Sequence, residues 1–161
     1  MELDVFKKFN DQDELDVDAF VRETTAMIWD DKMVGAIYDC YTEDTTIHGA
    51  CGSTVVGADR IVADTMAWLT AFPDLKIVIR DVVWCGNAKD GYRSSMPWSY
   101  VGTNTGYSRF GAPTGKKLTM DNNMGIANCL IKKVNGKWTY VDEYSTYDVN
   151  AFEAVCTPDK E

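Results

Sequence analysis

One stretch constrains this chain more than any other. From Lys116 to Asp148 it reads as a single long β-hairpin, turning at Asn135-Gly136. An Asn-Gly pair between β-prone arms is a strong hairpin signal, because both turn residues tolerate positive φ. Strand side chains alternate faces, so Leu118, Met120, Asn122, Met124, Ile126, Asn128 and Leu130 form one row. Trp138, Tyr140, Asp142 and Tyr144 form another on the returning arm. Amides and a carboxylate on otherwise apolar rows are costly unless paired, which points to a pocket lining. Two registers remain open. A strict two-residue turn sets Asp142 opposite Cys129 and Asn128 opposite Glu143, and the two rows then lie on opposite faces. A longer turn or a bulge puts Asn128 and Asp142 on one face. Under the first register Asp142 can also face solvent beside Tyr140 and Tyr144 while Val141 packs inward.

The remaining composition narrows the class. The 161 residues suit a single domain (1–161) able to bury its own core. A net charge of −9 argues against nucleic acid and against an anionic membrane surface. The five cysteines are scattered without Cys-x-x-Cys spacing and there is one histidine, so neither a zinc site nor any other metal is expected, and reduced thiols fit an intracellular setting. Neither an apolar signal core nor a run of transmembrane length is visible, so the expected location is cytoplasmic.

Along the chain, residues 1–16 are acidic and read as a mobile arm or a short helix packed on the outside. Asp16 caps a helix to about Trp29, with Phe20, Thr24, Met27 and Ile28 inward. A second short helix runs from Met33 to Tyr41, with Tyr38 beside its apolar stripe. Thr45-Thr46-Ile47-His48 is a strand, and a third helix runs from Asp59 to about Phe72, stopped by Pro73. The parity shift from Leu75, Ile77 and Ile79 to Val82 and Trp84 predicts a bulge near Arg80-Asp81. Tyr92 to Thr105 is a strand whose Pro97 belongs at an edge or a bulge. Residues 149–161 form a C-terminal tail. The order predicts an α+β fold in which three N-terminal helices wrap one face of a curved antiparallel sheet. Such a sheet leaves its other face to be covered, and a homodimer is expected.

Several phrases in this order resemble the SnoaL-like polyketide cyclases, which have the nuclear transport factor 2-like (cystatin-related) cone fold. They are Ile28-Trp29, Ala36-Ile37-Tyr38-Asp39, Thr46-Ile47-His48-Gly49, Gly57-Ala58-Asp59-Arg60-Ile61 and Ala71-Phe72-Pro73-Asp74. Gly102-Thr103-Asn104-Thr105-Gly106, Gly111-Ala112-Pro113-Thr114-Gly115 and Val141-Asp142-Glu143-Tyr144 with Asp148 complete the set, over roughly residues 20–148. The resemblance implies a cone with one apolar pocket between sheet and helices, dimerisation through the open sheet face, and cofactor-free aldol closure by an aspartate base on the last strand. Asp142 looks equivalent to that base. Asn128 stands where a histidine commonly assists, and an amide donates a hydrogen bond but relays no proton.

The chemistry expected is therefore carboxylate acid–base work on a hydrophobic carbonyl compound: cyclisation, isomerisation, hydration or dehydration. Asp142 is the candidate base, Asn128 an oxyanion donor and His48 the one imidazole. Trp29, Tyr38, Met66, Arg93, Trp98, Asn122, Met124 and Tyr144 are candidate ligand contacts, although aromatic and methionine residues at such spacing often serve only as core. A small-molecule or partner-binding module on the same fold is the alternative. Epoxide hydrolysis by an aspartate–arginine–aspartate relay, with Asp142, Arg93 and Asp121, is a further one.

Overall fold

The computed structural model describes residues 3–159. Its helices are α1 (Asp4–Asn10), α2 (Val17–Trp29), α3 (Ile37–Cys40), α4 (Ala58–Ala71) and α5 (Val149–Cys156). Its strands are β1 (Tyr41–His48), β2 (Thr54–Val56), β3 (Lys76–Ile79), β4 (Val83–Asn87), β5 (Gly91–Thr103), β6 (Lys117–Leu118), β7 (Gly125–Val134) and β8 (Lys137–Tyr147). They form one open, curved sheet in the order β2-β1-β8-β7-β5-β3, with β4 and β6 also paired to β5. The fold is the expected α+β cone. Among the described residues, no helix is long and apolar enough to cross a membrane.

Local chemistry sets the elements much as the sequence implies. The Asp16 side chain accepts from the Ala19 amide at 3.1 Å and caps α2. Asn135 and Gly136 both have positive φ, and Val134 pairs directly with Lys137. The parity shift near Arg80-Asp81 is a true interruption: β3 ends at Ile79, β4 begins at Val83, and both pair with β5. Pro97 lies opposite that gap, where a ladder amide is not needed, and its carbonyl accepts from Arg80 N at 2.9 Å.

Four features differ from the sequence reading. The 1–16 segment holds a short helix, one of the two forms expected, but α1 is part of the core and not merely external, since it buries Phe6 and Phe9 completely. The tail carries α5, whose Phe152 and Cys156 are fully buried. The β1–β8 pair is parallel, an exception in a sheet that is otherwise antiparallel. The long hairpin is shorter than expected, because 119–124 is a turn between β6 and β7. There Asn122 accepts from Thr119 N at 2.8 Å, and buried Asn123 bonds both backbone groups of Tyr100 at 2.8 Å. Amides that sequence places on a strand face here close a turn.

Candidate active site

The decisive detail lies on β8. The turn is the strict two-residue kind, yet the register shifts between Leu130 and Ile131: Ile131 faces Tyr140 and Leu130 faces Asp142, leaving Val141 as the extra residue of a bulge. Beyond the bulge, Asp142 and Tyr144 share a face with Leu130 and Asn128, so the bulged register holds. That face, however, is the open outer one. Trp138 and Tyr140, before the bulge, are buried on the helix side.

The helix-side face beyond the bulge belongs to Glu143, Ser145 and Tyr147, paired with Cys129, Ala127 and Gly125. Here the sheet, α2, α3 and α4 enclose a chamber of about 180 Å³ lined by Trp29, Tyr41, Trp68, Trp98, Tyr100 and Glu143 among others. A deeper recess of about 90 Å³ continues to Ser94 and Cys129. Trp98 lies against Gly125, where an added Cβ would overlap its ring. The Trp98 and Tyr100 rings are 4.5 Å apart, and Trp29 packs on Tyr100 at 5.1 Å. The walls are flat, aromatic and fixed by one another.

Glu143 is the buried carboxylate of this chamber, whose lining also includes the exposed Asp64. Glu143 is 8% exposed, and burial pushes its pKa up to about 7, against the opposing effects of Tyr41, Cys129 and Ser145; Asp142 adds to the rise. The Tyr41 hydroxyl donates to Glu143 Oε2 at 3.2 Å. Burial, followed by the charge of Glu143, holds the Tyr41 and Tyr100 hydroxyls well above the usual phenol range, so both stay protonated donors. Burial likewise keeps the Cys129 thiol protonated. The chamber therefore offers a carboxyl balanced between its two forms near neutrality, beside neutral hydroxyls and aromatic rings.

The residues singled out from sequence separate into three groups. Trp29 and Trp98 line the chamber. Asp142, Asn128, Arg93 and Tyr144 gather instead around a cleft of about 380 Å³ on the outer face. His48 joins them from β1: its Nε2 lies 3.2 Å from Asp142 Oδ1, and its ring stacks on Tyr144 at 4.3 Å. His48 thus has a titratable neighbour on its own face, which spacing within one strand could not reveal. Tyr38, Met66, Asn122 and Met124 lie at neither place. Tyr38 is exposed and donates to Asp59 at 2.9 Å, Met66 and Met124 are exposed, and Asn122 serves its turn. Asp121 sits in the same exposed turn, so no aspartate–arginine–aspartate relay forms around Arg93 and Asp142.

Sequence reasoning passed over Glu143, Tyr41, Tyr100 and Trp68. The available signal was period two: Glu143, Ser145 and Tyr147 alternate away from Asp142 and Tyr144.

A curved sheet wrapped by helices around an aromatic chamber is the architecture of the nuclear transport factor 2-like, cystatin-related class. Within it, the model of the SnoaL-like polyketide cyclases matches residues 19–148, and the chain belongs to that family. No curated protein matches the sequence. Among solved structures, a protein described as a SnoaL-like polyketide cyclase from Jannaschia sp. CCS1 is 16% identical, with a TM-score of 0.65 over 92% of this chain and 99% of its own. AclR from Streptomyces galilaeus, described as a hydroxylase, is 17% identical, with a TM-score of 0.65 over 89% of this chain and 87% of its own. A protein with a cystatin-like fold from Caulobacter vibrioides is 14% identical, with a TM-score of 0.63 over 86% and 94%. At these identities the structural likeness speaks for the fold. Family membership supports a small, enzyme-like function.

Proposed function

We propose that the chain is a cofactor-independent acid–base enzyme acting on a hydrophobic carbonyl compound bound in the inner chamber, with Glu143 as the proton-transfer group. One observation carries the reading: the chamber's carboxyl is pushed up to about 7 by burial among aromatic rings. A base is most useful when its pKa lies near the working pH, because it then both accepts a proton and returns it. As carboxylate, Glu143 removes a proton from the carbon beside the carbonyl, and the electron pair moves onto the carbonyl oxygen. The protonated hydroxyl of Tyr100 is a donor available to that developing oxyanion, while the Tyr41 hydroxyl donates to Glu143 itself. The resulting enol or enolate is common to aldol closure, isomerisation and dehydration. The aromatic walls exclude water and favour a flat substrate.

Exchange of the C1 protons of 2-tetralone into deuterated water, followed by NMR, tests this directly. The wild type accelerates exchange, and Glu143→Gln loses about 10²–10⁴-fold of that acceleration. Equal exchange with and without the protein, or with Glu143→Gln in place of the wild type, contradicts the proposal. A second reading, a binder without turnover, is favoured by the partner of Glu143 on β7. That partner is Cys129, a protonated thiol rather than a second acid–base group. Tight 2-tetralone binding without exchange would support it.

The outer face suits a second copy of this chain. Val83, Trp84 and Tyr144 are 55%, 49% and 57% exposed around one cleft, and such clustered apolar side chains suit a protein contact. Sedimentation should give twice the 18.0 kDa chain mass, and Trp84→Lys should shift it towards the monomer. A wild-type monomer at micromolar concentration contradicts the pairing.

A further inference from the structure

We infer that the chamber is the inner half of a two-part site whose outer half takes an uncharged, hydroxyl-bearing end of the ligand; the inference rests on the chamber being the working site. A second compartment of about 240 Å³ runs along α4 and shares Ser53, Val55, Asp64, Trp68 and Tyr147 with the chamber. A ligand lying across both places an apolar portion among the aromatic rings near Glu143 and its other end between α4 and the 104–116 loop.

That loop is a fixed wall. Asn104 at its base is fully buried; its Nδ2 donates to Ala71 O at 3.0 Å and Gly106 O at 3.1 Å, and its Oδ1 accepts from Thr114 N at 3.0 Å. Thr114 Oγ1 donates to Val155 O at 2.6 Å, which ties the loop to α5. The tip sets Ser108, Arg109 and Phe110 against the compartment, with the Arg109 guanidinium 4.9 Å from the Phe110 ring centroid.

Asp64 and Arg109 line this one compartment, and among the described residues neither side chain makes a hydrogen bond or an ion pair with the protein. The compartment thus holds a free acceptor and free donors whose charges nearly cancel. Cys156 adds no charge, since burial pushes its thiol up. An anion attracted by Arg109 meets Asp64, and a cation attracted by Asp64 meets Arg109. A hydroxyl can donate to a carboxylate or accept from a guanidinium, so an end bearing several hydroxyls can serve both side chains. A sugar-like or otherwise hydroxylated end fits this arrangement; a phosphate or carboxylate does not.

Calorimetric titration with 2-naphthol, 2-naphthyl β-D-glucopyranoside and 2-naphthyl phosphate tests it, the ring being constant and the head varied. The wild type should bind the glucoside about tenfold more tightly than 2-naphthol or the phosphate. Asp64→Ala and Arg109→Met, both at exposed positions and checked by circular dichroism, should each bring the glucoside-to-naphthol ratio towards one. Tightest binding of the phosphate, or a ratio unchanged in both variants, overturns the inference. Binding of 2-naphthol that Glu143→Gln alters, with no gain for the glucoside, overturns it while leaving the chamber reading intact. Glucoside binding that depends on Asp64 while 2-naphthol does not bind supports the outer half and sinks the chamber reading. Failure of all three probes to bind contradicts both.

Discussion

Asp142 and Glu143 are adjacent in sequence, and the sheet assigns them to different worlds. Asp142 points to the outer face, its side chain 36% exposed, beside a histidine in water. Glu143 points into the chamber, 8% exposed, with burial raising it to about 7. The two side chains differ by one methylene, so the difference in chemistry comes from the environment: solvent screens the first, and aromatic rings desolvate the second. The bulge at Val141 decides which is which. Without the extra residue in the count, Asp142 would pair with Cys129 and face inward.

The contrast is broken most readily by exchanging the two carboxylates for amides. Where Glu143→Gln removes about 10²–10⁴-fold of the carbon-acid exchange, Asp142→Asn should change it less than threefold. A larger loss at Asp142 than at Glu143 would return the outer face to the centre of the account.

Stability against pH sharpens the same contrast. The Glu143 carboxyl is raised in the folded state, so its contribution is fully present below about pH 4.5 and is lost as pH rises through about 7. Above that, the folded protein carries a buried carboxylate at a cost of about 3 kcal/mol, from roughly 2.5 units at 1.36 kcal/mol each. Urea unfolding should therefore find Glu143→Gln more stable than wild type at pH 8 by up to that amount, with the gap shrinking as pH falls and closing below about pH 4.5. A gap independent of pH would mean that the carboxyl is not desolvated.

The chamber wall gives a smaller effect. Gly125→Ala drives a methyl into the Trp98 ring and should cost about 1–3 kcal/mol, read as a lower urea midpoint, while weakening ring binding. The outer pair gives the smallest. His48→Gln alters the half-exposed contact with Asp142 and should cost less than about 1 kcal/mol, with exchange activity retained. Lost turnover at an unchanged melting temperature would show that the outer face does chemistry.

Much of this architecture was legible in the residues. Asn135-Gly136 marks its turn, the parity shift marks the break between β3 and β4, and the ordered phrases from Ile28 to Asp148 carry the family. The site was legible only up to the register. Composition admits a bulge without locating it, and one residue of slip exchanges Asp142 for Glu143. The contact between His48 and Asp142 depends on a parallel pairing across 94 positions, which no local pattern encodes. Asn122 and Asn123 read as strand because apolar residues surround them, yet their amides satisfy backbone groups more cheaply in a turn. The acidic first residues hide Phe6 and Phe9, three apart on one helical face.

The central claim is that Glu143, rather than Asp142, is the tuned carboxyl, and side-chain titration addresses it directly. With glutamate labelled with ¹³C at the carboxyl, one resonance should titrate near pH 7 and vanish from the spectrum of Glu143→Gln. If every labelled carboxyl has finished titrating by pH 5.5, or the resonance near 7 persists in Glu143→Gln, the chamber holds an ordinary acid and the account fails.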